Sequence, residues 1–461
     1  MLTVNSHSAT HKKRHNLLPD WINPIHKLNR IWQGGVKLKD WKSLSNQTDI
    51  EKFKQPDAIL RIPLGDGRKM ASPCVTIGQY VLKGEVIGRS NQTPWVHAST
   101  SGHVIAIEQT PLADRPGKAE AVVLAADGLD LPCLVNAGQS HHQPPGNLME
   151  LASLCQQMGL TGLGGAGFPV GLKLAGAGGI DTLLINGAEC EPYLTCDDRL
   201  MRERAEAIVH AGWYLQNLLQ LERVCIGIEP NKPAAIQALR QAIRFLDAPL
   251  EVRKLPHRYP AGGQPLLIKS LSGRHQAPGT LPHEIGVMVM NVASLYSLGQ
   301  AVFHGLPLTS RIVTLSGAME HPCNVEVPIG TPVSDLLNYA RPRLETTGIQ
   351  VGGPMMGRDL ASPDAVITKT SGALIARSAK HLPPKPEAQD CIRCNRCVDT
   401  CPMSLRPLTL NEACQTEDRQ ALQQEQLSAC IECGACSEVC PSHIPLRDNF
   451  RNAKPLLAGG H

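Results

Sequence analysis

The sequence predicts a multidomain α/β chain that closes with a helical domain built around metal clusters. Three observations carry that expectation. Residues 58–127 alternate apolar and polar side chains in short runs broken by glycine, which is a β signature. Residues 147–305 alternate helical and strand periods, which implies a parallel sheet covered by helices. Near the end, "CIRCNRCVDTCP" and "CIECGACSEVCP" write one twelve-residue pattern twice. A chain of 461 residues has room for about three or four domains. Hydrophobic residues at 42% against 19% charged let sizeable cores form.

Residues 1–55 are polar and basic without a clear period and are read as an N-terminal extension, with "HSATHKKRH" as a solvated end. The start "MLTVNSHSATHKKRH" lacks the apolar core of a signal peptide, so none is expected. Residues 56–135 hold "CVTIGQYVLKGEVIG" and "WVHASTSGHVIAI", with turns at Gly78, Gly84 and Gly102. This module resembles the barrel-sandwich hybrid of biotinyl and lipoyl carriers. The lysine that such carriers modify is missing, because the turn reads "AST" from Ala98 to Thr100. "NAGQSHHQPPGN" is a linker by composition.

Residues 147–305 open with the helical "LMELASLCQQMGL" and the buried strand "IDTLLINGA". "DDRLMRERAEAIVHAGWYLQNLLQL" is predicted as one helix, started by two aspartates. "RVCIGIEP" is a second strand, and "KPAAIQALRQAIRFL" a helix with proline in its first turn. The uncharged "IGVMVMNVASLYSLGQAVF" reads as a buried strand and a core helix rather than a membrane span, since it carries Asn291, Ser294, Ser297 and Gln300. Residues 306–380 return to strands and turns in "RIVTLSGAMEHPCNVEVPIGTPVSDLL" and resemble the SLBB module, a soluble-ligand-binding β-grasp unit. The proline-rich "LPPKPEAQ" sets off residues 390–446, which hold both cysteine runs with helix formers between them. Residues 447–461 are read as a tail.

Each cysteine run spells C-x2-C-x2-C-x3-C-P, the spacing of a bacterial [4Fe–4S] site. In two-cluster ferredoxins the fourth cysteine of a run ligates the other cluster. One cluster is therefore assigned Cys391, Cys394, Cys397 and Cys440, the other Cys430, Cys433, Cys436 and Cys401. Zinc sites usually show two CxxC pairs, not two four-cysteine runs each closed by proline. The other cysteines, Cys74, Cys133, Cys155, Cys190, Cys196, Cys225, Cys323 and Cys414, are scattered, as buried or free thiols are in a reducing cytoplasm. A net charge of +4 gives no reason to expect a nucleic-acid partner.

"TGLGGAGFPVGLKL" is the second chemical signal. Its glycines let backbone approach a ligand closely, and Lys173 adds positive charge; a tight packing turn explains the glycines as well. The third signal is "INGAECEPYLTCDDR", where a strand runs out into Asn186, Glu189 and Glu191. Ligands of open α/β sheets bind beyond the carboxyl ends of strands. The two glutamates read either as an exposed acidic loop or as acceptors for a flavin or a nicotinamide.

Taken together, the glycine loop, "NGAECEPYLTCDDRLM", "YPAGGQPLLIKSLSGR", "VGGPMMG" and both cysteine runs, in that order, resemble the C subunit of the Rnf (also called Rsx) complex. That complex is the ion-translocating ferredoxin:NAD oxidoreductase of bacteria. The resemblance covers nearly all of the chain after about residue 30. The loop and acidic strand end are also similar to the flavin-bearing, NADH-oxidising subunit of respiratory complex I. The resemblance implies a Rossmann-like FMN/NADH domain and an electron-transfer subunit with two [4Fe–4S] clusters, FMN and NAD(H). It implies a peripheral protein at the cytoplasmic face of the bacterial inner membrane, held by partner subunits that translocate ions. By position, Gly162, Gly164, Gly165, Gly167 and Lys173 would cradle FMN, and Asn186 and Glu189 would meet the flavin. Phe168 and Glu191 would face NADH, while Gly262 and Asn291 would close the pocket.

The sequence departs from the family in places. Gln264 stands where Glu is usual, Val170 where Thr is usual, and Leu163 where the complex I relatives carry arginine. The sequence ends at His461 without the alanine- and lysine-rich extension of some members. Two other readings compete. A cobalamin-reductase-like flavoprotein of bacterial microcompartments shares the loop and clusters, but the β module ahead of the glycine loop favours the Rnf reading. A flavin-free electron relay is disfavoured by the intact loop and Glu191. Flavin beside clusters is chemically coherent, since NADH gives up two electrons as hydride and a cluster accepts one.

Overall fold

A computed structural model describes residues 33–55, 58–67, 69–133, 143–384 and 386–458. The basic start "HSATHKKRH" and most of the linker "NAGQSHHQPPGN" lie outside the described residues.

The first module is a pair of antiparallel sheets. One orders Ile59–Pro63, Lys118–Ala126, Gly102–Pro111 and Tyr80–Val81; the other orders Ser72–Pro73, Val86–Arg89 and Val96–His97. Alternation places Leu60, Ile62, Val81, Ile87, Val104 and Leu124 in one core. Residues 98–100, where a carrier would present its lysine, are buried.

The second module is a four-stranded parallel sheet ordered Leu250–Lys254, Arg223–Ile228, Thr182–Gly187, Val287–Asn291. In chain order this is third, second, first, fourth, so the winding reverses between Thr182–Gly187 and Val287–Asn291. Period-2 alternation serves both faces: Leu183 and Ile185 pack with helices Ala205–Leu219 and Val292–His304, while Leu184 packs with helix Gln264–Ser272. The single helix expected from Asp197 onward is instead two, Cys196–Glu203 and Ala205–Leu219, parted at Arg204 (φ −128°, ψ 28°). Packing overrides the continuous period, because Met201 in the first piece is pressed against Gly187, where a β-carbon would lie 2.7 Å from its sulfur.

The third module is a six-stranded sheet ordered Glu51–Lys52, Cys323–Pro328, Ser310–Gly317, Ala373–Arg377, Gly348–Val351, Arg358–Asp359. Its outermost strand comes from the expected extension and pairs in parallel with Cys323–Pro328. Residues 33–55 are thus a strap across the modules: Lys42 is buried, and Trp41 stacks on Tyr193 at 5.7 Å. Within the stretch read as strands and turns, Val333–Ala340 is a helix that buries Val333, Leu336 and Ala340.

The cysteine runs sit among the helices Arg396–Thr400, Pro407–Gln415, Arg419–Gln424, Ala435–Glu438 and Leu446–Ala458. The last of these replaces the expected tail. Leu446, Phe450 and Ala453 at helical spacing complete the small core with Leu410, Leu422 and Leu427. The proline-rich stretch does not leave this domain free. Gly434 (φ +77°) approaches Met355 so closely that a β-carbon there would lie 2.9 Å from its carbonyl oxygen. No helix among the described residues is long and apolar enough to cross a membrane.

Candidate functional site

The winding reversal brings two asparagines together. Asn186 and Asn291 are register partners at the carboxyl ends of adjacent strands. Asn186 Nδ2 donates to Gly262 O at 2.9 Å, and its Oδ1 accepts from Ala188 N at 3.1 Å. Asn291 Oδ1 caps helix Val292–His304, accepting from Ala293 N at 2.9 Å, while Nδ2 donates to Asp197 Oδ2 at 2.8 Å. Crevices of this kind, at a switch point beyond the strand ends, are where open α/β sheets bind ligands.

The glycine loop lies over the same crevice. Gly162 N donates to Phe168 O at 2.8 Å and closes the loop, and Leu163 N donates to Ser294 Oγ at 2.8 Å and ties it to the capped helix. A β-carbon on Gly164 would lie 3.1 Å from Asn291 Cβ, and one on Gly167 would lie 3.2 Å from Thr370. Gly165 differs: its φ is +102°, and a β-carbon there would meet no atom within 4 Å. Lys173 is largely buried, and burial lowers its pKa. Its Nζ donates to Val289 O at 2.9 Å. Phe168 is half exposed. Open space at Gly165, in a loop whose following helix carries the partly buried Lys173, suits a ligand carrying a phosphate.

The two glutamates turn elsewhere. Glu189 (φ 43°) accepts from Asp197 N at 2.7 Å and Asp198 N at 3.3 Å, a carboxylate on the first turn of helix Cys196–Glu203. Asp197 beside it is held well above the carboxylate range, first by burial and then by Glu189. Glu191 is buried under the "VGGPMMG" loop and accepts from Met355 N at 2.9 Å and Met356 N at 2.8 Å. Burial raises its pKa to about 7. Lys42 lies across both, donating to Glu191 O at 3.1 Å and standing 3.7 Å from Glu189 Oε2. Sequence reasoning missed Lys42, which no short motif marks, and read Asp197 only as a helix-start residue within "NGAECEPYLTCDDRLM".

The cysteines form two sets. Cys391, Cys394, Cys397 and Cys440 line one small cavity with Leu408, Asn411 and Ile444. Cys401, Cys430, Cys433 and Cys436 line another with Ile431, Gly434 and Phe450. Each set takes three cysteines from one run and the last from the other. Cys391 and Cys394 are exposed, whereas Cys433 is buried. Burial first, then Cys430 and Cys401 nearby, push the Cys433 thiol up to about 12. Only a strong positive charge would ionise such thiols, which is what an iron core supplies.

The two regions meet at a turn. Tyr259 Oη donates to Cys433 O at 2.7 Å, and a β-carbon on Gly263 would lie 3.2 Å from Ile431 Cδ1.

Four family models match the chain in order. They are the RnfC barrel sandwich hybrid domain at residues 31–129, the Nuo51 FMN-binding domain at 155–300, the SLBB domain at 312–359 and a 4Fe-4S dicluster domain at 384–441. These domains define an iron–sulfur flavoprotein. A protein of Pectobacterium atrosepticum, named as the C subunit of an ion-translocating oxidoreductase complex, is 41% identical over 437 residues, 92% of this chain and 62% of that protein. Its namesake in Pseudomonas aeruginosa is 43% identical over 393 residues, 82% of this chain and 49% of that protein. Over most of its length the chain is similar to this family of C subunits, the RnfC family. It spans about three-fifths or less of the length of the curated relatives it matches. A solved NAD+-reducing [NiFe]-hydrogenase chain superposes with a TM-score of 0.47 at 18% identity, covering 68% of this chain and 62% of that chain.

Proposed function

We propose that this protein moves electrons between NAD(H), bound FMN and two [4Fe–4S] clusters, as the peripheral subunit of an ion-translocating membrane complex. The observation that carries the proposal is the Asn186–Asn291 switch point, covered by the glycine loop and joined by one turn to a cysteine-lined cavity. Flavin, when bound, takes hydride as a pair and passes electrons on singly. The chain's own residues bind, orient and exclude water. Gly162, Gly164, Gly165 and Gly167 present backbone, Lys173 offers charge, and Asn186, Asn291 and Gly262 shape the crevice. Phe168, exposed beside the loop, is placed to face the nicotinamide. Glu189 holds Asp197, and through it Asn291, in position. Glu191, beneath residues 352–357, meets nucleotide only if that loop lifts.

Cys401, Cys430, Cys433 and Cys436 hold the near cluster. Cys391, Cys394, Cys397 and Cys440 hold the far one, whose exposed cysteines suit electron exchange with a membrane partner. The relatives' name, a subunit of an ion-translocating complex, supports docking through partner subunits, and the proposal places that docking at the cytoplasmic face of the inner membrane. The test is purification of the untagged complex from membranes: the chain should co-purify with membrane subunits and carry FMN. A chain that holds no flavin and leaves the membrane fraction without partners refutes the proposal.

A further inference from the structure

We propose that Tyr259 is a positioning residue: its hydroxyl seats the near cluster against the flavin crevice, so that flavin-to-cluster transfer depends on it and hydride transfer does not. The inference rests on the flavin and cluster assignments just given.

Residues 259–263 form a short turn with a different bond at each end. At one end, Gly262 O accepts from Asn186 Nδ2 at 2.9 Å, at the switch point. At the other, Tyr259 Oη donates to the carbonyl of Cys433 at 2.7 Å. The turn is anchored between them, since the N and O of Tyr259 both pair with Val36 at 2.9 Å. The ring is 3% exposed and packs with Val36, Met355, Cys433 and Ala435. Gly263 meets Ile431, the residue after Cys430, so the turn and the cysteine loop are in van der Waals contact as well.

This geometry gives the phenol a narrow task. One electron passes from flavin reduced by NADH to one oxidised [4Fe–4S] cluster; Tyr259 gains and loses neither electron nor proton. Electron tunnelling falls exponentially with distance, so the seat of the cysteine loop controls the rate. Phenylalanine at 259 keeps the ring and its packing, but it leaves the buried Cys433 carbonyl without its donor. The cysteine loop then relaxes away from the turn, while the crevice, held by Asn186, does not.

The test uses the full chain, reconstituted anaerobically with iron, sulfide and FMN, as parent and as Tyr259→Phe. Both should hold the same flavin and iron. On rapid mixing with NADH, flavin bleaching should keep the parent rate, while cluster reduction should slow severalfold, because the cysteine loop sits farther from the turn. An EPR-monitored titration should move the midpoint of the Cys430-run cluster and leave that of the Cys391-run cluster in place. Cluster reduction at the parent rate with both midpoints unmoved overturns the proposal. If Tyr259→Phe fails to hold its full iron, loss confined to the Cys430-run cluster with flavin retained supports the seat, and equal loss of both clusters overturns it. A parent chain whose flavin NADH cannot reduce refutes the functional assignment itself, which separates the two failures.

Discussion

Asn186 and Asn291 face each other across adjacent parallel strands, yet neither uses its amide on the other. One reaches to Gly262 and the other to Asp197 and the helix that follows, so the pair props the crevice open from both sides. The glycine loop lies beside this pair, with Gly164 approaching Asn291 and Gly165 facing open space.

That space makes Gly165→Val informative. A β-carbon at Gly165 meets no protein atom, so the valine collides with bound ligand alone. The left-handed φ of +102° adds strain of about 1–3 kcal/mol, which a stable fold tolerates. FMN affinity should fall at least about tenfold, or 1.4 kcal/mol, while iron content persists. Flavin and iron assays on the purified variant check it; full flavin retention removes the loop from the site.

Cys401→Ser should damage the cluster of the second run, because Cys401 lines the cavity of Cys430, Cys433 and Cys436. Iron should fall from about eight to about four per chain, with the cluster of the first run intact. Low-temperature EPR distinguishes the outcomes. Loss of the Cys391-run signal alone contradicts the crossed arrangement.

Glu191 carries a pH dependence whose sign follows from burial. Its pKa rises from 4.5 in the unfolded chain to about 7 in the fold. A raised carboxyl pKa contributes stability that is fully present below 4.5 and is lost as pH climbs through about 7, up to about 3 kcal/mol in all. Glu191→Gln should therefore flatten the change in urea midpoint between pH 5.5 and pH 8. An unchanged slope would place the titration elsewhere.

Gln264 opens helix Gln264–Ser272 directly after the turn that holds Gly262, its amide 3.5 Å from Gln276 Oε1. A carboxylate near a ribose accepts from the 2′-hydroxyl and repels a 2′-phosphate; an amide drops the repulsion. Gln264→Glu should slow flavin reduction by NADPH and leave NADH nearly unchanged. Stopped-flow rates with both nucleotides measure this, and a constant ratio takes Gln264 out of the nucleotide site.

Local chemistry made much of this architecture legible in the sequence. The cysteine runs follow from spacing and their crossed pairing from the ligation rule of two-cluster ferredoxins, and the strand "IDTLLINGA" from a run of apolar residues between breakers. The helices Val333–Ala340 and Leu446–Ala458 were not read from the sequence, although apolar residues recur at three and four in "VSDLLNYA" and at Leu446, Phe450 and Ala453. Their short length and polar surroundings hid them. The strap was not legible. Lys42 and Trp41 look like surface residues until tertiary contacts with Glu191 and Glu189 bury the first and stacking on Tyr193 partly covers the second. The placement of Glu191 was hidden for the same reason: the loop that covers it lies more than 150 residues away in the chain.

The central claim is that one chain joins an NADH-reducible flavin to two clusters. Its most direct measurement is anaerobic reconstitution followed by an NADH titration read in parallel by absorbance and EPR. Bound FMN should bleach on the first additions, and the signals of two distinct reduced [4Fe–4S] clusters should follow on the same chain. FMN that fails to stay bound, or flavin that bleaches while both clusters remain oxidised, would contradict it.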